Sequence, residues 1–294
     1  MGALTPKACS GASNRPGRWR PGVILGPPPA WWRWTPVDVD ISALKLLLLC
    51  LAALCAGLVD AIAGGGGLIT LPALLTAGLP VHMAFGTNKG QSVFGSFAAL
   101  VRFARAGLVD GKLAQVTFPS SLLGALMGAG LLLLVKPEVL KPLVLVLLIA
   151  VALFLAFRKQ PSGAEHPEPT PRARAQAVGA LIALVMGTYD GFFGPGVGTF
   201  LIVAFSSLLG HSLARASADA KVVNFASNLA SMTLFALKGV VLWRVALPMA
   251  AAQFSGAWMG AHLAVKGGDR LVRRVVLGVV VALVLKLGRD VLLG

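Results

Sequence analysis

Apolar and polar residues alternate along this chain in long blocks, not in the short periods of a soluble fold. Predominantly apolar stretches cover about residues 44–59, 67–80, 85–104, 113–135 and 139–157, then 175–189, 197–210, 216–237, 245–265 and 271–288. Residues 61–88, 113–135, 191–214 and 245–265 contain no Asp, Glu, Lys or Arg at all. A helix needs about 20 residues to cross roughly 30 Å of hydrocarbon, so most of these blocks predict membrane-crossing helices. A polar stretch from Arg158 to Arg174, with Pro161, Glu165, Pro167, Glu168, Pro169 and Pro171, separates five blocks from five. The predicted fold class is an all-α polytopic membrane protein. Its parts are a basic Pro/Arg/Trp-rich tail (1–40), a first membrane repeat (41–157), a polar cytoplasmic linker (158–174) and a second membrane repeat (175–294).

Composition agrees. Of 294 residues, 56% are hydrophobic and 13% charged, about half the roughly 25% charged residues of soluble domains. That excludes an ordinary cytosolic enzyme, a disulfide scaffold and disorder over most of the chain, and it makes the lipid bilayer the first partner. The net charge of +15 could suggest nucleic acid. The basic residues, however, sit between the apolar blocks, where topology-setting loop charges belong, so no nucleic-acid partner is expected. Cys9, Cys50 and Cys55 form no CxxC pair; Cys50 and Cys55, in an apolar run, read as lipid-facing or packed thiols.

The start of the chain differs from the rest. Lys7, Arg15, Arg18, Arg20 and Arg33, several prolines and no acid precede Val37, the composition of a disordered tail. Trp31, Trp32 and Trp34 suit a bilayer interface; alternatively the protein begins near Val37. Ile41 to Ala56 followed by Ala61-Ile62-Ala63 resembles a cleavable leader. The lead is long for one, and the repeat keeps this segment in the fold.

That repeat is legible residue by residue. Asp60, Gly64 and Gly66 stand 130 positions before Asp190, Gly194 and Gly196. After a two-residue slip, Lys89 stands 132 before Lys221. The same 132 relates Phe103-Ala104-x-x-Gly107-x-Val109 to Phe235-Ala236-x-x-Gly239-x-Val241, and Gly124, Met127 and Gly128 to Gly256, Met259 and Gly260. Many matches in one register predict an internal duplication, the arrangement common in secondary transporters.

The second block of each half is too short to span and begins at a glycine cluster: Gly64-Gly65-Gly66-Gly67, and Gly194-Pro195-Gly196-Val197-Gly198. Glycine weakens a helix by about 1 kcal/mol relative to Ala, and Pro195 lacks a backbone donor. Both places predict broken helices at membrane depth, tolerated only when buried in protein or lining a cavity. Gly124, Gly128, Gly256 and Gly260 have GxxxG spacing and predict close helix packing instead. If the short segments cross, the halves are inverted; if they re-enter, the halves are parallel. Parallel halves would export the Lys266–Arg274 cluster, so the positive-inside rule favours inverted halves, at the cost of exporting the basic tail.

Gly57-Leu-Val-Asp60-Ala-Ile-Ala-Gly64-Gly-Gly-Gly-Leu-Ile-Thr70-Leu-Pro72, followed by Gly86-Thr87-Asn88-Lys89, resembles the first-half motif of the TauE/SafE sulfite-exporter (TSUP) family. Tyr189-Asp190-Gly191-Phe192-Phe193-Gly194-Pro195-Gly196-x-Gly198, followed by Ala220-Lys221-x-x-Asn224, is similar to its second-half motif. The resemblance covers about residues 41–294. It implies a multi-pass plasma-membrane permease for small anions such as sulfite, sulfonates or related organic anions, coupled to an ion gradient of H+ or Na+. One departure is Ala218-Asp219-Ala220-Lys221, where the first half has Gly86-Thr87-Asn88-Lys89. It predicts a second site less hospitable to anions.

Few residues can carry chemistry. Half-helices starting after Gly64, Gly65, Gly66 and Gly67, and after Gly194, Gly196 and Gly198, would offer backbone N–H groups and a positive dipole end to an anion. Thr70 and Thr199 either add hydroxyl donors or bond their own backbone. Thr87, Asn88 and Lys89, with Lys221 and Asn224, are the other substrate-binding candidates. A membrane-embedded lysine faces a cavity or a partner, or else snorkels to an interface. Asp219 stands two residues from Lys221 and is a candidate to pair with it. Asp60 and Asp190 serve either ion coupling or capping of the following half-helix. His82 and His211 are either a pH-sensing pair or lone interfacial histidines. Asn228, Ser96 and Ser227 fall on the helices after the lysines and can line the pathway. No protease motif, metal-ligand spacing or cofactor fingerprint is present, so no enzyme, metal or cofactor is expected. The rival readings are a cation or metal permease built on the intramembrane aspartates, and a non-transporting membrane scaffold.

Overall fold

The structure is a computed structural model that describes residues 41–157 and 171–293. The expected tail (1–40) and the linker through residue 170 lie outside the described residues. Among those described there are nine helices and no strands: α1 (Ala43–Ala63), α2 (Gly67–Thr76), α3 (Val81–Arg105), α4 (Gly111–Leu134), α5 (Pro137–Phe157), α6 (Arg172–Phe192), α7 (Val197–Leu209), α8 (Leu213–Leu237) and α9 (Trp243–Leu293). Gly268 is non-helical inside α9 (φ 55, ψ −155), so α9 carries the last two apolar blocks on either side of a break. The ten blocks are thus accounted for. α6 already begins at Arg172, so the last residues of the expected linker belong to a helix.

Local chemistry places the helix ends. Ser42 Oγ accepts from Lys45 N at the start of α1, and Ser212 Oγ from Arg215 N at the start of α8. The Asp110 carboxylate accepts from Lys112 N and Leu113 N at the start of α4. Each satisfies amides that the first turn leaves without a partner. α1, α4 and α6 are long and apolar enough to cross a membrane. Large apolar side chains line their outer faces, among them Leu44, Leu47, Leu48, Leu123, Leu131 and Leu181; on this scale such exposure suits lipid contact.

α3 and α8 are different. Each has 25 residues, about 37 Å at 1.5 Å per residue, enough to span. Yet they bury His82, Asn88, Lys89 and Gln91, and Asp219, Lys221, Asn224 and Asn228. Such side chains cannot face hydrocarbon, so these two helices sit inside, wrapped by the apolar ones. They run antiparallel. Leu242 N, just beyond α8, donates to Thr87 Oγ1 near the start of α3 (3.1 Å). Asp110 N, just beyond α3, donates to Asp219 Oδ1 near the start of α8 (2.9 Å).

The outer helices pack closely through the GxxxG glycines. A Cβ on Gly256 or Gly260 of α9 would lie 2.0 or 2.3 Å from Leu54 O or Leu58 O of α1. On Gly124 or Gly128 of α4 it would lie 2.2 or 2.0 Å from Leu184 O or Thr188 O of α6. α1 therefore lies parallel against α9, and α4 parallel against α6, with backbones touching.

Candidate functional site

The breaks are shorter than the glycine clusters. α1 runs through Asp60 to Ala63 and α2 resumes at Gly67. α6 runs through Asp190 to Phe192 and α7 resumes at Val197, with Gly198 inside it. Gly64 and Gly65 (φ 72 and 105) and Gly194 and Gly196 (φ 90 and 84) have left-handed backbones, which only glycine adopts cheaply. The two breaks press on each other. A Cβ on Gly64 would stand 2.2 Å from Gly198 C and Thr199 N, and one on Gly67 3.3 Å from Pro195 Cα.

Free amides at the half-helix starts were expected to form the anion site. The first turn of α2 instead uses them internally: Leu68 N donates to Gly65 O, and Ile69 N and Thr70 N to Gly66 O. Thr199 N is covered by Gly64. Thr199 Oγ1 donates to Ala63 O (2.9 Å), and Thr70 Oγ1 lies 3.1 Å from Gly66 O and 2.6 Å from Asn88 Oδ1.

Two buried ion pairs flank the crossing. Lys89 Nζ of α3 lies 2.7 Å from Asp190 Oδ1 of α6, both side chains almost wholly buried. Lys221 Nζ of α8 lies 2.7 Å from Asp60 Oδ2 of α1. The lysines therefore do not snorkel. Each ammonium holds a carboxylate from the other half, which offsets the cost of burying either charge alone. The expected Lys221–Asp219 pairing is overturned: Asp219 contacts His211 Nδ1 (2.8 Å) and takes the Asp110 amide. Residues i and i+2 point to different sides of a helix and cannot meet.

The two aspartates are held differently. Asp60 Oδ1 accepts from Gly66 N (3.1 Å), the capping arrangement. Asp190 caps nothing; beyond Lys89, it takes the Ser227 hydroxyl on Oδ2. Lys89 also donates to Asn228 Oδ1 (2.9 Å), and Asn228 Nδ2 to Ser96 Oγ (3.4 Å). The histidines are not a matched pair: His82 Nε2 meets Val135 O (3.1 Å), while His211 meets Asp219.

A cavity of about 30 Å³ opens between the breaks, room for a water or two. Of the expected site residues, Asp60, Gly65, Gly67, Asn88, Lys89, Asp190, Gly194, Gly196 and Asn224 line it. Gly64, Gly66, Gly198, Thr70, Thr87, Thr199 and Lys221 do not. Thr87 holds the amide after α8, and Lys221 is fully buried behind Asp60. Ser92 and Gln253 line the cavity and were missed. Ser92 stands 132 before Asn224, and Gln253, a polar residue in a charge-free block, stands 132 after Ser121, so the repeat carried both signals. Asn224 Oδ1 and Gln253 Oε1 are buried with no hydrogen-bond partner among the described residues.

An all-helical bundle with lipid-facing outer helices, a polar central pair and broken helices meeting at a buried cavity defines a membrane transporter class. The chain belongs to the TauE/SafE sulfite exporter family, whose sequence profile matches residues 49–287. It is 38% identical over 252 residues to the probable membrane transporter protein ORF9 of Sinorhizobium sp, covering 85% of this chain and 95% of that one. It is likewise 38% identical over 237 residues to the probable membrane transporter protein YfcA of Escherichia coli strain K12, covering 79% and 86%. The probable membrane transporter protein YunE of Bacillus subtilis is 25% identical over 242 residues, covering 75% and 87%. No solved structure matches the chain.

Proposed function

We propose that this protein is an ion-coupled permease for a small anion (sulfite, a sulfonate or a related organic anion), held where the two glycine breaks meet. The observation that carries this is the Lys89 ammonium. It is buried, turned to the cavity, and held by Asp190 and Asn228. An ammonium offers three hydrogens, so it can bond an oxyanion while Asn228 keeps it in place. Asn88, Asn224 and Gln253 supply polar contacts that orient a ligand without adding charge. A cation reading is weaker, because each cavity carboxylate already holds a lysine.

The halves are read as an inverted duplication. Leu54 and Leu58 stand 130 before Leu184 and Thr188, and each set receives a glycine pair from the fourth helix of the other half. The Lys–Asp pairs exchange in the same way. α3 and α8 occupy equal places in the two halves and run antiparallel, as a two-fold axis in the membrane plane requires. Alternating access would then rock one half against the other. The cavity is too small for an oxyanion in this arrangement, so loading requires the helices around the breaks to part.

The test is uptake into proteoliposomes of purified protein, screened over sulfite, thiosulfate, sulfonates and small carboxylates, with and without a pH gradient. Saturable uptake of one of these anions, lost in Lys89→Gln, is the expected result. Saturable uptake of a metal cation with none of the anions would overturn the reading.

A further inference from the structure

We propose that Lys89 and Asp190 form a proton-coupling site: an anion reaches Lys89 only as Asp190 takes up a proton, so one anion and one proton load together. The inference rests on the anion-permease reading and concerns the same cavity.

Charge balance motivates it. The charged groups at the cavity are Lys89, Asp190 and Asp60, with Lys221 behind Asp60. Two positive and two negative groups leave no net charge. A bare anion entering would put one unpaired charge in a buried, low-dielectric site, which is costly. If the Asp190 carboxylate takes a proton from water, it becomes a neutral acid and lets go of Lys89. The anion then takes its place on the ammonium. The balance is complete: one proton in, one anion in, and a site as neutral after loading as before. Lys89 keeps Asn228 Oδ1 at 2.9 Å, so the ammonium stays in position throughout.

The surroundings of Asp190 accommodate the acid form, and those of Asp60 do not. Ser227 Oγ lies against Asp190 Oδ2 and also 3.0 Å from Asn224 O. A hydroxyl both donates and accepts. Facing a carboxylate, Ser227 donates to Asp190. Facing the acid, it accepts the Asp190 O–H and turns its own hydrogen to the Asn224 carbonyl. Receiving the acid proton asks only that this hydroxyl turn. Asp60 instead has Gly66 N on one oxygen and Lys221 on the other, at 3.1 and 2.7 Å. Both are donors only, so neither can accept a proton placed on Asp60. The position 132 before Ser227 is Gly95, which carries no hydroxyl. The groups facing Asp190 are thus Lys89 from α3 and Ser227 from α8, with Tyr189 beside it on α6 bonded to Pro195 O (2.7 Å).

The experiment uses purified full-length protein in proteoliposomes, with the monoanions methanesulfonate and ethanesulfonate as probes. Both keep a constant charge across neutrality, so any proton that moves is the protein's. Anion uptake and internal pH are followed together. Wild type should move one proton per anion, and anion affinity should fall as pH rises. Asp190→Asn should still exchange the anion, with no pH slope and no accumulation driven by a proton gradient. Should Asp190→Asn fail to fold, Ser227→Ala keeps the carboxylate and removes the hydroxyl that donates to it; the charged form loses the stronger bond, so the pH profile of uptake should shift to higher pH, and an unchanged profile would count against the inference. Anion movement without protons in wild type, or a pH slope surviving in Asp190→Asn, would overturn this inference and leave the permease reading standing. If neither anion moves under any gradient, the permease reading for these anions fails and this inference with it.

Discussion

The two Lys–Asp pairs are alike in chemistry and length, yet they have unlike surroundings. Lys89–Asp190 looks into the cavity, and each partner has a second neutral contact, Asn228 for the ammonium and Ser227 for the carboxylate. In Lys221–Asp60 only the carboxylate reaches the cavity: Lys221 is fully buried behind it, and the second oxygen of Asp60 takes the Gly66 amide at the break. The first pair can exchange partners without leaving a charge bare. The second can only hold α1, α8 and the first glycine break together. On the proposed reading, one pair loads and the other is a fastener.

The largest expected effect separates these roles. Lys89→Gln should abolish saturable anion binding, a loss of at least about two orders of magnitude. Lys221→Gln should weaken binding far less while lowering thermal stability. Removing one partner of a buried pair costs about 3–5 kcal/mol, so both single variants should melt early. The combination Lys89→Gln with Asp190→Asn should recover much of the stability and none of the anion affinity. Melting and anion titration on the same preparations decide this. Equal loss of affinity in the two single variants would erase the distinction between the pairs.

The breaks can be compared next. At Gly64 an added Cβ meets backbone of the opposite break at 2.2 Å, whereas at Gly65 its nearest neighbours are ordinary contacts at 3.5 and 3.7 Å. Both have positive φ, an expected cost of about 1–2 kcal/mol for a non-glycine residue. Gly64→Ala should therefore cost that and several kcal/mol more, because backbone cannot step aside. Gly65→Ala should retain the fold and report on the cavity. Gly66 is a less clean probe of ligand space than its place in the cluster suggests, because its Cβ would strike Asp60 Cβ at 2.8 Å. Loss of uptake in Gly66→Leu would then report a displaced Asp60. Comparing melting temperatures of the Gly64→Ala and Gly65→Ala proteins tests the ranking.

How much of this was legible in the chain depends on the range of the cause. The apolar blocks and their breaks are local, and each carries its own signal: hydrophobic length, or glycine runs that cannot hold a helix. The GxxxG pairs are likewise local. Pairing across the bundle is not. Lys221 and Asp60 are 161 positions apart, and nothing near either residue names the other. Reasoning from neighbours pointed to Asp219, which helical geometry turns away from Lys221. The half-helix amides depend on a related cause: a first turn can close on its own carbonyls, and only the folded structure shows that α2 does so at Leu68, Ile69 and Thr70. Ser92 and Gln253 were recoverable, since each sits at the repeat position of another polar residue.

Topology gives a yes-or-no test of the same symmetry. Lys112 and Arg244 stand 132 positions apart, at the starts of α4 and α9. With inverted halves they lie on opposite faces of the membrane. Single cysteines at these positions, in a background without Cys9, Cys50 and Cys55, should be labelled by an impermeant thiol reagent from opposite sides. Labelling of both from one side would establish parallel halves. The antiparallel run of α3 and α8 would then need another origin.

The smallest effect lies at the helix ends, where the halves differ by a charge. After α8, the Leu242 amide rests on the neutral Thr87 hydroxyl; after α3, the Asp110 amide rests on the Asp219 carboxylate. Only the second end is titratable. Burial pushes the Asp110 carboxyl up, but the Leu113 and Lys112 amides, together with Arg215 and His211, outweigh it and hold the group below the usual carboxylate range. A carboxyl depressed in the folded protein stabilises fully above its unfolded value, and that contribution fades as pH falls through the folded one. Acid should therefore loosen the α3–α4 corner before it affects the Thr87 corner. Asp110→Asn keeps a good helix cap and removes the titration. It should flatten the acid limb of the melting curve by under about 1 kcal/mol, because the Arg215 pair is partly exposed. Hydrogen exchange at Leu113 and at Val245, read as pH is lowered, separates the corners. Faster exchange at Leu113 alone is the expected result; equal acceleration at both would mean that the charge difference between the ends has no mechanical effect.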